Sequence, residues 1–211
     1  MAEVEVLLFD IGGVLLTNGW DYAARARAVE QFALEPEFHE LHDALAVDLD
    51  CGRITLDAYL EQVVFNQPRS FSRDEFRAFM FARSSPHPDA IAVVDELARS
   101  RRYLIAALNN ESVELNQYRV DRFELRRYFR IFLTSCYLGA AKPHDAMFET
   151  ALHVLQCPPA ACAFVDDRVV NVLAARRAGI PSLHYREPSQ LRAWLTEHGI
   201  QTTTSMSCEQ E

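Results

Sequence analysis

The chain has 211 residues, 49% hydrophobic and 24% charged, and carries a formal net charge of -9. That length and composition suit one large domain, or a core with a small insertion, around a packed interior. The acidic balance argues against the broad basic face of a nucleic-acid binder but leaves room for a local site that takes a small anion, and no apolar run approaches the roughly 20 residues that cross a bilayer.

The first residues are acidic and lack the charged-then-apolar pattern of a leader. The five cysteines, Cys51, Cys136, Cys157, Cys162 and Cys208, include no CxxC pair. Reduced thiols and a soluble cytoplasmic protein are expected, with Cys157 and Cys162 as small buried hydrophobes. Residues 4–9 form a short, nearly continuous apolar run, as in a strand buried on both faces, and Gly12-Gly13 breaks it. Residues 18–86 contain no convincing strand; helices are expected over 20–34, 36–49, 55–64 and 72–82, the last opened by the capping-box spacing Ser72…Glu75. A helix follows over 88–99, with Ile91, Val94, Leu97 and Ala98 on one face, then a strand over 103–108 and another over 131–134. Residues 145–155 repeat the helical spacing with Phe148, Leu152 and Leu155. A strand over 162–165, a helix over 168–178 stopped by Gly179, and a strand over 182–185 complete the pattern. Alternating strands and helices predict an α/β fold with an open parallel sheet, its core formed by residues 1–17 and 87–200, a four-helix insertion at 18–86, and a disordered polar tail at 201–211.

Parallel α/β sheets bind ligands at the carboxyl ends of their strands. The residues that follow these strands are Asp10; Asn109, Asn110 and Glu111; Lys142 in Gly139-Ala140-Ala141-Lys142-Pro143; and Asp166 and Asp167, with Asn171 one helical turn on. Acids, amides and one lysine from distant segments therefore meet at one edge. Asp10 and Asp167 suit a hard cation with oxygen ligands, Mg²⁺, with Asp166 and Asn171 as further metal-site candidates. The ion and Lys142 would offset a phosphate's charge, Asp10 would attack phosphorus, and water would release the aspartyl-phosphate. Asn109 and backbone N–H groups could hold phosphate oxygens, with Asn110 beside them, and Gly12-Gly13 lets the backbone turn close to the ligand.

This set resembles the haloacid dehalogenase-like (HAD) hydrolase superfamily. Phe9-Asp10-Ile11-Gly12-Gly13-Val14-Leu15 looks like its first motif. Leu108-Asn109-Asn110 stands at the second, Leu138-Gly139-Ala140-Ala141-Lys142-Pro143 resembles the third, and Phe164-Val165-Asp166-Asp167 with Asn171 is similar to the fourth. The resemblance implies a Rossmann-like core with a small helical cap, and it is nearest to sugar-phosphate phosphatases and the phosphatase domain fused to epoxide hydrolases. The substrate would then be a small phosphorylated metabolite, with neither nucleic acid nor membrane as partner, and a monomer or homodimer is compatible. Two positions depart from the pattern. Gly12 replaces the family's second aspartate, the acid–base group; its carbonyl can still ligate Mg²⁺, but it can move no proton, a loss typically worth about 10²–10⁴-fold. Asn109 replaces a Ser or Thr, and an amide can still donate to phosphate. These departures motivate a non-catalytic phospholigand-binding protein as one alternative, and a haloacid dehalogenase is another.

Plainer roles compete at several positions. Asp10 could form a turn, and Asp166 and Asp167 could cap a helix. Glu111 fits the first turn of a helix. His39 and His42 are expected as a solvent-facing pair, Trp20, Tyr22 and Phe38 as packing within the insertion, and Arg25, Arg27, Arg126 and Arg127 as solvated charges.

Overall fold

The first apolar run becomes β1 (Val6–Phe9), with all four residues buried. The protein is described by a computed structural model over residues 3–202. The segment after β1 folds as expected into helices α1 (Tyr22–Phe32), α2 (Phe38–Asp50), α3 (Leu56–Val63) and α4 (Arg73–Phe81). Three of their starts are fixed by side chains: Asp21, Thr55 and Ser72 accept hydrogen bonds from the backbone N–H groups of Ala24, Ala58 and Glu75, and Glu75 reaches back to complete the capping box. The four helices share an apolar core of their own, including Ala28, Phe38, Leu49, Leu60, Phe76 and Met80.

Two expectations within these helices need correction. His42 does not face solvent: it is buried, with Nδ1 2.8 Å from the Tyr59 hydroxyl, because α2 turns that side toward α3. Burial pushes its pKa down to about 4, with Arg25 adding to the effect, so the ring is neutral. Tyr22 is not packed inside; it is 68% exposed and stacks on His39. Phe38 does pack inside, with Trp20 edge-on to it.

Beyond this segment come α5 (Pro88–Ser100), β2 (Leu104–Asn109), α6 (Val113–Arg122), β3 (Ile131–Thr134), the short α7 (Ser135–Leu138), α8 (Asp145–Leu155), β4 (Cys162–Asp166), α9 (Val169–Arg177), β5 (Ser182–His184) and α10 (Pro188–Glu197). The five strands form one parallel sheet in the order β3-β2-β1-β4-β5. Alternation within each strand builds two cores. Leu7, Phe9, Ile105, Ala107, Ala163 and Val165 face α5 and α10, through residues such as Val93, Leu97, Leu191 and Leu195. Val6, Leu8, Ala106, Leu108, Cys162 and Phe164 face α8 and α9, through Met147, Phe148, Ala151 and Ala174. The chain starts at the sheet's centre, winds to one edge and returns, so its winding reverses between β1 and β4. At such a crossover the strand ends leave a crevice for ligand.

The helical segment joins the sheet at one narrow place. Thr17 N donates to Ser85 O at 2.9 Å, and Thr17 Oγ1 donates to Arg83 O at 2.6 Å, so entry and exit run side by side. It also rests on α7. The turn after α2 holds Gly52 at φ +68, where a Cβ would stand 2.4 Å from the Cys136 carbonyl oxygen. Beside it Ser135 Oγ donates to Asp50 O at 2.5 Å. Among the described residues the cysteines are free, and no helix is long and apolar enough to cross a membrane. The expected tail at 203–211, with Cys208, lies outside the described residues.

Candidate active site

Strand register brings the first acids together. Phe9 pairs with Val165, so Asp10 leaves β1 beside Asp166, the last residue of β4. Carboxylate oxygens of Asp10, Asp166 and Asp167 all lie within 4.8 Å of one another. Lys142 reaches them from the loop between α7 and α8. Its buried Nζ donates to Leu108 O and Asp166 Oδ2, both at 2.7 Å, and sits 3.1 Å from Asp10 Oδ2. All three ammonium hydrogens are thereby used. Asp166 is fully buried and fully engaged: it also accepts from Arg168 N at 2.8 Å and from Asn171 Nδ2 at 3.0 Å on both oxygens. Asp10 Oδ1 accepts from Ile11 N at 2.8 Å.

The remaining candidates stand around this centre. Asn171 presents its amide nitrogen to Asp166, a donor that orients the carboxylate; its own Oδ1 is buried without a partner. Asn110 brackets Lys142, donating to its carbonyl at 2.8 Å and accepting from its N–H at 2.9 Å. Asn109, buried at the end of β2, donates to Asn116 Oδ1 and accepts from Thr134 Oγ1. Gly12 sits in the turn after Asp10, where a Cβ would lie 3.0 Å from Asn18 Oδ1 and 3.6 Å from Arg119 Nη1. Asn18 in turn donates to Asp167 Oδ2 at 3.2 Å.

Three carboxylates surround one ammonium, and two of them, Asp10 and Asp167, are shifted upward by burial with their acidic neighbours adding to it. Burial pushes Asp10 up to about 8, opposed by Lys142 and reinforced by Asp166 and Asp167. Asp167 is also raised, chiefly by burial. Burial works against the charge of Lys142, but Asp10 and Asp166 together outweigh it and hold the ammonium charged. Asp167 Oδ1 is buried and has no hydrogen-bond partner. An orphaned carboxylate oxygen among surplus anions fits a hard divalent cation, with Asp10 and Asp167 offering the lone pairs that Asp166 has already committed.

A pH dependence follows from these shifts. Between its ordinary value of 3.8 and about 8, Asp10 keeps a proton in the folded metal-free protein that the unfolded chain has released, so stability falls as pH rises through that window. His42 acts in the opposite sense, but its contribution is complete once pH passes its unfolded value of 6.5. Metal-free protein should therefore melt at lower temperature at pH 8 than at pH 6.5, and added Mg²⁺ should raise the Tm more at pH 8, since a cation competes with those protons. Scanning calorimetry with Mg²⁺ or EDTA measures this, and a Mg²⁺ effect equal at both pH values would contradict it.

Gly13 is tied to the same cluster. At its φ of +75 a Cβ would fall 2.1 Å from Asp167 Oδ2. Gly13→Ala is expected to displace Asp167 and lower hydrolytic activity by about 10²-fold. Far-UV circular dichroism should stay unchanged, and full activity in this variant would remove Asp167 from the working site.

Arg119 was not legible as a site residue, because it lies in the last turn of α6 rather than at a strand end. Its guanidinium is buried, pairs with Glu111 Oε2 at 2.8 Å, and donates to Ser84 Oγ at 3.0 Å and Thr17 O at 3.1 Å. Glu111 accordingly is not a first-turn acid. Ser112 caps α6, and Glu111 lies one residue outside it, facing Arg119. Between the helical segment and the strand ends lies a cavity of about 600 Å³, lined among others by Asn18, Trp20, Arg25, Asp50, Glu111 and Arg168. Arg25 is thus not simply solvated: it lines this cavity, and its Nε is buried without a partner.

Comparison with known proteins bears on the family and the fold. A haloacid dehalogenase-like hydrolase model matches residues 4–179. Haloacid dehalogenase-like hydrolase domain-containing protein 3 of Xenopus laevis is 38% identical over 82 residues, 37% of this chain and 34% of that protein. Flavin mononucleotide hydrolase 1 of Arabidopsis thaliana is 30% identical over 80 residues, 38% of this chain and 33% of that protein. The chain thus matches about a third of the length of each of these relatives. A HAD-family enzyme of Bacteroides thetaiotaomicron, solved with magnesium and inorganic phosphate, superposes with a TM-score of 0.74 at 19% identity, covering 87% of this chain and 94% of that one. The L-2-haloacid dehalogenase of Xanthobacter autotrophicus gives a TM-score of 0.59 at 19% identity, covering 85% of this chain and 76% of that one. The family match takes in Asp10, Lys142, Asp166 and Asp167 together with strands β1 to β4, and the chain belongs to the haloacid dehalogenase-like hydrolase family.

Proposed function

We propose that this protein is a Mg²⁺-dependent phosphatase of small organic phosphate monoesters that works through an aspartyl-phosphate at Asp10. The observation that carries the reading is the ammonium of Lys142 set between Asp10 and Asp166, with the unpartnered oxygen of Asp167 alongside. Anionic groups so arranged have use for a cation and for an anionic substrate that shares it. The solved HAD-family enzyme with magnesium and phosphate supports the same choice of ligands.

Asp10 and Asp167 would hold the ion, with the Gly12 carbonyl beside them. When bound, the ion supplies positive charge against the phosphate oxygens and the attacking carboxylate. Asp10 forms the new bond to phosphorus as the ester oxygen departs with its electron pair and takes a proton from solvent, and water then hydrolyses the acyl phosphate, releasing inorganic phosphate and restoring the carboxylate. Lys142 keeps Asp10 in place and offsets its charge. Asn109 offers its remaining amide N–H to a phosphate oxygen, while Asn110 steadies the Lys142 loop. The helices of residues 18–86 act as a cap that covers the cavity and excludes water during the reaction.

The test is phosphate release by purified protein from p-nitrophenyl phosphate and a panel of metabolite monoesters, with Mg²⁺ or with EDTA. Turnover that EDTA abolishes is expected. No release from the whole panel would favour a binding protein without catalysis, and halide release from a 2-haloacid, unaffected by chelator, would overturn the reading in favour of a dehalogenase.

A further inference from the structure

The cavity beside the strand ends contains four acids: Asp21, Asp50, Glu111 and Asp167. Three are engaged by the protein. Asp21 caps α1 through Ala24 N; Glu111 pairs with Arg119 and accepts from Ser112 N; Asp167 belongs to the strand-end cluster and accepts from Asn18. Asp50 differs. No described residue donates a hydrogen bond to its carboxyl or forms an ion pair with it, although its backbone is well fixed as the last residue of α2, with its carbonyl held by Ser135 Oγ at 2.5 Å. Burial pushes this carboxyl up to about 7, with Glu111 adding to the shift and Arg168 and Arg25 opposing it. The carboxyl is half-buried and faces the cavity without a protein donor, so a ligand that brings a donor there gains a hydrogen bond to a carboxylate that no protein group supplies.

Asp50 is also placed to meet one part of a substrate and not the other. The phosphorus site is defined by Asp10, Lys142 and Asp167, whereas Asp50 stands on the helical side of the cavity, where the alcohol portion of a monoester would extend. Building on the phosphatase reading above, we infer that Asp50 is a specificity-determining residue that accepts a hydrogen bond from a hydroxyl or ammonium group on the alcohol portion of the substrate, so that phosphates of polyols or amino alcohols are preferred to those of donor-free alcohols. Asp50 takes no part in bond making at phosphorus. Its contribution lies in KM and kcat/KM for donor-bearing substrates only.

The experiment compares the full-length protein with Asp50→Asn and Asp50→Ala on three substrates: p-nitrophenyl phosphate, whose alcohol has no donor, glycerol phosphate and ethanolamine phosphate. Both variants should hydrolyse p-nitrophenyl phosphate within about 2-fold of wild type, which also reports an intact fold. For a donor-bearing substrate, kcat/KM should fall by about 10-fold or more in Asp50→Ala, the size of a lost hydrogen bond to a charged group, and by less in Asp50→Asn, whose amide oxygen still accepts. Loss confined to glycerol phosphate identifies a hydroxyl donor, and loss confined to ethanolamine phosphate an ammonium. Equal losses on all three substrates, or no loss on any, would overturn the role of Asp50 while leaving the phosphatase reading intact. Wild-type protein that hydrolyses none of the three would sink both.

Discussion

Asp10→Asn is expected to lower hydrolysis by on the order of 10⁴-fold or more in kcat while leaving the protein folded. The substitution keeps the size of the side chain and an oxygen able to accept from Ile11 N, but an amide does not form an acyl phosphate. It also removes one of three carboxylates that share a single ammonium, so metal-free Asp10→Asn should be at least as stable as the metal-free parent at pH 8, where burial and the neighbours Asp166 and Asp167 make the Asp10 charge most costly. Single-turnover phosphate release and calorimetry give the two readouts. Retained turnover would remove Asp10 from the nucleophile role, and lost folding would show that its carboxylate holds the strand ends together.

Lys142→Met should be the most destabilising single change at this site. The ammonium is the shared partner of Asp10 Oδ2, Asp166 Oδ2 and Leu108 O. Methionine is close in volume but leaves two buried carboxylates without their counter-charge and one carbonyl without its donor. Breaking a buried ion pair from one side costs about 3–5 kcal/mol. Urea unfolding at pH 8 should show a loss of that size, shrinking toward pH 5 as Asp10 takes up a proton, and hydrolysis should fall with it. A loss below about 1 kcal/mol at pH 8 would mean that water reaches the carboxylates and screens them.

Much of this was legible because it depends on local pattern. Strands buried on both faces read as short apolar runs, and the acids that follow β1 and β4 stand where parallel sheets place ligands. Ser72 and Glu75 announced the start of α4. Other features were hidden because they depend on approach between distant segments. α6 carries few apolar residues, with Leu115 and Val120 as its main inward anchors, so its helical period was faint and Glu111 was placed inside a helix it only precedes. Arg119 gains its meaning from Thr17 and Ser84, contacts 102 and 35 residues away in sequence. His42 is buried where it meets Tyr59, 17 residues away in sequence. Asn109 and Asn110 were read as facing a ligand, whereas their amides also satisfy Asn116, Thr134 and the Lys142 backbone, partners that spacing alone does not identify.

On α7 the helical segment is seated through its own main chain: Gly52 stands against the Cys136 carbonyl, and the Asp50 carbonyl accepts from the Ser135 hydroxyl. Main-chain geometry survives most side-chain replacement. Ala46 and Asp50 along the cavity wall lie outside the segment's apolar core and can therefore mutate without unseating it, provided Gly52 and Ser135 stay as they are. Such a joint would let the cavity wall change its chemistry by drift alone, with the strand-end cluster left untouched.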